Sequence, residues 1–176
     1  MTVVKTPFAT QHGITLTECL LVVALVALLA TKGVPAFGVW REKLSLRADL
    51  DKAISVLRTA RNYALTTQTN AYVTLSPGAN WCLAVSDTPT CDCHRGDCAF
   101  SSARHVAYGS SHASLVSGRF TAEYPIQFSG PGSHAFDAAG TLTFTSDSLS
   151  GKVIISPLGR IRHCSTDRAL AGIPAC

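Results

Sequence analysis

Ser156-Pro157-Leu158-Gly159-Arg160-Ile161-Arg162-His163-Cys164 is the stretch of this 176-residue chain whose residue types most directly suggest chemistry. Two arginines stand two positions apart. In extended chain that spacing puts both guanidinium groups on one face and turns Ile161 to the other. Each guanidinium is a planar, permanently charged fork of donors, so a side-by-side pair suits successive phosphates along a nucleic-acid backbone. Gly159 would let the backbone approach a ligand closely and would offer its amide as a further donor. Lys152, Arg168 and His163 are close enough in sequence to share such a contact. The same charges would equally guard an exposed strand edge against pairing. On the residues alone both readings stand.

The charge distribution isolates this stretch. The chain as a whole carries +4, too mild a value to name a partner. Residues 71–151 hold Arg95, Arg104 and Arg119 against six acidic residues, whereas residues 152–176 hold Lys152, Arg160, Arg162 and Arg168 against Asp167 alone. The C-terminal end is thus the basic part of a mildly acidic domain. With 47% hydrophobic and 15% charged residues, the chain has enough apolar material for a core and is not a charge-rich disordered protein.

A second cluster, Cys91-Asp92-Cys93-His94 with Cys98, gathers thiols and an imidazole as a zinc site would. Structural zinc sites space paired cysteines by two to four residues, and the single residue between Cys91 and Cys93 is too tight for that pattern. Cys19 lies in an apolar run, which leaves Cys82, Cys91, Cys93, Cys98, Cys164 and Cys176 as an even set. Downstream of a membrane-directed segment, such a set reads as disulfides formed in an oxidising space, and the cluster as a stapled surface loop. Six cysteines allow fifteen pairings, and spacing does not choose among them. Catalytic patterns are missing. His94, His105, His112, His134 and His163 are scattered, and no Gly-x-Ser-x-Gly, His-Glu-x-x-His or phosphate-binding glycine loop occurs. The sequence reads as a non-enzyme that needs neither a cofactor nor a metal.

The elements that must position these residues begin with twelve unbroken apolar residues from Cys19 to Ala30, and apolar character resumes from Val34 to Trp40. A secretory signal cut near Val34-Pro35-Ala36 is one reading, with Lys5 as its basic region. An ordinary membrane anchor is another, although Lys32 and Gly33 interrupt the span. Glu18, at the edge of the run, argues for neither, because a lone carboxylate in lipid needs a partner. The helix is expected to continue past Pro35, kinked there. Leu46, Leu50, Ile54, Leu57, Ala60, Ala64 and Leu65 then form one apolar stripe. Arg41, Lys43, Arg47, Lys52, Arg58 and Arg61, with Glu42, Asp49 and Asp51 between them, are expected on the solvated remainder. After Thr66–Asn70, short apolar runs split by turn residues predict antiparallel strands at Ala71–Leu75, Trp81–Val85, Tyr124–Phe128, Thr141–Thr145, Lys152–Ile155 and Ile161–Cys164. In Thr141–Thr145, Leu142 and Phe144 should face the core and the threonines water.

Gly13-Ile14-Thr15-Leu16-Thr17-Glu18 resembles the type IV prepilin motif, in which a peptidase cuts after the glycine. Counted from Ile14, Glu18 is the fifth residue and Pro35 the twenty-second, both hallmarks of type IV pilins; Ile14 replaces the usual Phe, and Thr17 and Cys19 also depart from the pattern. A helix followed by an all-β head is similar to the GspH/FimT family of pseudopilins and minor pilins. This resemblance implies an α+β, type IV pilin-like fold: a long N-terminal helix packed on a small antiparallel β-rich head stapled by disulfides. It implies a leader at 1–13, a helix at 14–65 (membrane and assembly segment 14–40, amphipathic part 41–65), and a head at 66–176 with a basic tail. It implies cleavage between Gly13 and Ile14 by a prepilin peptidase. It also implies that Glu18 neutralises the amino terminus of a neighbouring subunit, since a charge buried in an apolar bundle must be paired. Gly159-Arg160-Ile161-Arg162 is similar to the Gly-Arg-x-Arg motif near the C-terminus of the FimT members, which bind DNA during natural transformation. Cys164 and Cys176 bracket the terminal segment as in such a tail, which implies their pairing. The expected partners are DNA, held without sequence preference through its phosphates, other pilins or pseudopilins, the prepilin peptidase, and the inner membrane before assembly into an extracellular pilus. A purely structural minor pilin, or a GspH-like pseudopilin of type II secretion, would share the helix and head and differ at Arg160 and Arg162.

Overall fold

The computed structural model describes residues 13–98, 106–109, 114–120, 125–135, 139–166, 170 and 172–176. One helix, α1, spans Leu16–Thr67. Thr15 caps it: its hydroxyl accepts from the Glu18 amide at 3.3 Å, satisfying one of the amides that a first turn leaves unpaired. Glu18 therefore stands in the first turn, where the helix dipole favours negative charge. Gly13 and Ile14 precede the helix and are exposed.

The chain divides into two compact units, Met1–Val39 and Trp40–Cys176. In the first, the helix leaves large apolar side chains exposed from Leu16 to Leu29, and Phe37 and Val39 are exposed beyond them. Among the described residues no single helix is long and apolar enough to cross a membrane, although Leu16–Thr31 and Ala36–Thr67 pass together by length and composition.

The second unit holds the remainder of α1 and two sheets. Leu46, Leu50, Ile54, Leu57, Ala60 and Ala64 are buried as their spacing predicts, joined by Ala53 and Val56. Leu65 departs from the expected stripe and is 38% exposed. It follows buried Ala64 by one residue, about 100° further round the helix. Asp49 also departs from expectation. It is fully buried rather than solvated, and Lys52 Nζ meets its carboxylate at 2.9 Å.

Among the described residues eight strands follow: β1 (Ala71–Ser76), β2 (Cys82–Ser86), β3 (Val106–Tyr108), β4 (Ser114–Phe120), β5 (Ile126–Phe128), β6 (Gly140–Thr145), β7 (Ser150–Ile155) and β8 (Ile161–Ser165). They form two antiparallel four-stranded sheets, ordered β3-β2-β1-β5 and β4-β6-β7-β8. Six of the eight match runs legible in the sequence. Two do not: β3 has three residues, and β4 has a register shift between Leu115 and Ser117 that breaks alternation. On β6, Leu142 and Phe144 are fully buried, while the threonines are half-buried rather than fully in water.

Trp81, just before β2, packs edge-on to Phe144 of β6 with ring centroids 5.1 Å apart, tying the two sheets through one core. The helix lies close on β7. A side-chain carbon at Gly151 would stand 2.6 Å from Leu50 Cδ1, so a larger residue there would have to displace the Leu50 side chain. Disulfides join Cys82 to Cys93, Cys91 to Cys98 and Cys164 to Cys176, and Cys19 is free and exposed.

Candidate nucleic-acid interface

The Ser156–Cys164 stretch folds as the β7–β8 hairpin. Its turn is closed by the Gly159 amide donating to the Ser156 carbonyl at 2.8 Å, and by the Ser156 amide donating to the Arg160 carbonyl at 3.0 Å. Pro157 and Gly159 explain this locally. Proline presets the first turn torsion, and Gly159 takes a φ of 71°, the left-handed conformation that ends such loops and that other residues adopt only with strain. Ser156 does a further job, since its hydroxyl accepts from the Arg160 amide at 3.1 Å and fixes where β8 begins. Reading the stretch for charge alone overlooks Ser156. The Ser-Pro-x-Gly turn pattern is the signal that identifies it.

This geometry corrects one expectation about Gly159. Its amide is spent inside the turn and the residue is buried, so it shapes the loop and offers no donor outward. The arginines, in contrast, are presented. Arg160 and Arg162 are exposed, and Ile161 between them turns inward onto the core. Arg162 stands opposite Ile154 in the β7–β8 register, and Lys152 stands opposite Cys164. Directly opposed residues share a face in an antiparallel pair, and diagonal neighbours lie about 7–8 Å apart, within reach of long side chains. Lys152, half-buried, is therefore the diagonal neighbour of Arg162 on the outer face of the sheet. No ion pair reaches Arg160, Arg162 or Lys152 among the described residues.

His163 parts company with the arginines. It pairs with Val153 on the inner face and lines a groove of about 330 Å³ with Asp51, Ser55, Arg58 and Asn62 of the helix. A contact on the outer face would use Arg160, Arg162 and Lys152 but not His163. Arg168 lies outside the described residues. Behind the hairpin, the Cys164–Cys176 disulfide and two backbone bonds at Ser165, to Pro174 at 2.9 Å and Cys176 at 3.0 Å, hold the terminal segment against β8.

The cysteine cluster takes the form of a cross-linked loop. Cys82 Sγ, Cys93 Sγ and the His94 ring lie within 4.8 Å of one another, but a disulfide consumes both sulfurs and leaves no thiolate for a metal. His94 Nε2 lies 3.2 Å from the Ser76 hydroxyl instead.

Compared with known families, residues 50–159 match the model of the type II transport protein GspH, which covers more than half of the chain. The matched stretch runs from the buried face of the helix through β7 and ends at the turn glycine, immediately before Arg160, leaving β8 outside it. No curated protein and no solved structure matches the chain.

Proposed function

Because the chain belongs to the GspH family, a pilin-like group, we propose that it is a minor type IV pilin that captures extracellular DNA for natural transformation. The observation that carries the reading is the pair Arg160 and Arg162, exposed together on a hairpin closed by three hydrogen bonds at its turn, with no ion-pair partner among the described residues. β8 is an edge strand, where charges also guard against pairing; two arginines side by side add a geometry that suits successive phosphates. Lys152 extends the contact from the next row of the sheet, and Arg168 follows in the basic tail.

On this reading a prepilin peptidase removes residues 1–13 at the exposed Gly13–Ile14 bond, and the apolar helix holds the protein in the inner membrane with its head in the periplasm. During assembly Glu18 neutralises the amino terminus of a neighbouring subunit. The head then rides outward on the fibre, and the hairpin meets DNA by its phosphates, without reading sequence. A second reading, favoured by the type II transport name of the matching family model, is a structural pseudopilin or minor pilin that does not bind DNA.

The test is a titration of the full chain in non-ionic detergent with labelled duplex DNA at several salt concentrations. The expected affinity is roughly 10⁻⁴ to 10⁻⁶ M at physiological salt, because few charges converge. Two phosphate contacts predict a log–log salt slope of about −2. Absence of binding even at low salt would give the structural reading the lead.

A further inference from the structure

The hairpin tip presents an apolar side chain beside the two arginines. Leu158 is 65% exposed. Among the described residues of the sheets and their connections, Leu158 and Tyr108 are the large apolar side chains left most open, and the Tyr108 hydroxyl donates to the Cys93 carbonyl at 3.3 Å. Turn tips ordinarily carry polar residues, and a leucine held in water on a tightly bonded loop beside two arginines is open to a partner. Leu158, Arg160 and Arg162 are all exposed, with buried Gly159 and inward Ile161 between them. Leu158 lies in the turn itself, and Gly159, with a φ of 71°, leads from it into the arginine pair.

We propose that Leu158 enters the minor groove of duplex DNA as an apolar wedge while Arg160 and Arg162 hold the bordering phosphates. This rests on the DNA-binding reading above and adds the form of the DNA and the groove. The chemistry of the tip selects among the alternatives. A protein subunit covering Leu158 would also cover two arginines and have to neutralise both. Single-stranded DNA is held by bases stacked on aromatic side chains, and Ser156-Pro157-Leu158-Gly159 contains none. In the major groove base edges are met by hydrogen bonds, which the arginines could supply, but Leu158 would find only thymine methyl groups there. The minor groove, about 6 Å wide, is too narrow for the paired strands of the hairpin but admits one side chain. Arginine beside an inserted leucine is a recurring combination there, because the groove's negative potential attracts the charge while the sugars and base steps receive the apolar group.

The experiment titrates the full chain in non-ionic detergent with A·T-rich duplex, G·C-rich duplex and single-stranded DNA, comparing Leu158→Ser, Leu158→Phe and the double variant R160Q/R162Q. Leu158→Ser should weaken duplex binding about fivefold, as expected for losing part of one buried leucine contact. It should leave the salt slope unchanged, because no phosphate contact is lost. Leu158→Phe, which keeps a wedge, should bind duplex as the parent does, and distamycin, which fills the minor groove, should displace the protein. If R160Q/R162Q abolishes binding while Leu158→Ser and distamycin change nothing, the wedge is overturned and the phosphate contact stands. If Leu158→Ser spares DNA binding but blocks incorporation into fibres, Leu158 is a subunit contact and the inference fails. If the parent chain binds no DNA, wedge and DNA-binding reading fall together. Circular dichroism establishes that each variant is folded.

Discussion

At the helix, Lys52 Nζ reaches the fully buried Asp49 carboxylate at 2.9 Å and the Tyr108 carbonyl at 3.3 Å. At the β7–β8 hairpin, Arg160 and Arg162 carry the same charge into solvent with no carboxylate partner among the described residues. Both regions belong to the same compact unit. The lysine's charge is consumed in keeping a buried anion neutralised, so it serves the fold. Among the described residues the arginines' charges meet no ion-pair partner, which on the proposed function leaves them for an external polyanion. Net charge conceals this division, because it weighs Lys52 and Arg162 alike.

The contrast predicts that substitutions at the two regions act on different observables. The largest effect on stability is expected from Lys52→Met, which keeps the aliphatic stem and leaves Asp49 buried without its cation. Lys52 is itself 44% exposed, so the cost falls below that of a fully buried pair, at about 2 kcal/mol. Urea denaturation should show that loss, while DNA titrations of the folded variant should match the parent. A variant as stable as the parent would mean that Asp49 is neutralised without Lys52.

A smaller effect concerns Glu42, where the helix meets the β6–β7 turn. Its Oε1 accepts from the Ser148 amide at 2.9 Å and from the Ser148 hydroxyl at 3.1 Å. The Ser148 amide, foremost, holds the Glu42 carboxyl below the ordinary carboxylate value. Partial burial opposes this, and the Ser146 and Ser148 hydroxyls and Lys43 assist. A carboxyl whose folded pKa is lowered contributes stability above its unfolded pKa, and loses that contribution as pH falls through the folded value. Melting temperature should therefore drop below about pH 4, and Glu42→Gln should remove part of that dependence. An identical acid profile in the variant would assign the acid sensitivity to other carboxylates.

The sequence carried much of this arrangement, for reasons visible in particular residues. The helix stripe was legible because Leu46, Leu50, Ile54 and Leu57 are apolar at helical spacing, and β6 because Thr141–Thr145 alternates. The Arg-x-Arg pair is local, and strand geometry suffices to place both side chains on one face. Features that depend on distant partners were not legible. The burial of Asp49 depends on the packing of its helix face, and β4 combines small polar residues with a register shift. The Cys82–Cys93 pairing requires the loop after β2 to fold back on that strand, and with Cys93 so used, Cys91 closes within the loop on Cys98. The opposed faces of His163 and Arg162 follow from strand alternation, but which face meets the helix is settled only by the register with β7.

The most direct test of the division between charges that serve the fold and charges held for a ligand is R160Q/R162Q, in a DNA titration paired with a denaturation curve. The account predicts that duplex binding is lost while stability stays within about 0.5 kcal/mol of the parent, as for surface positions without partners. A folded double variant whose DNA titration overlays that of the parent would contradict it, and would leave the hairpin arginines as guards of an exposed strand edge.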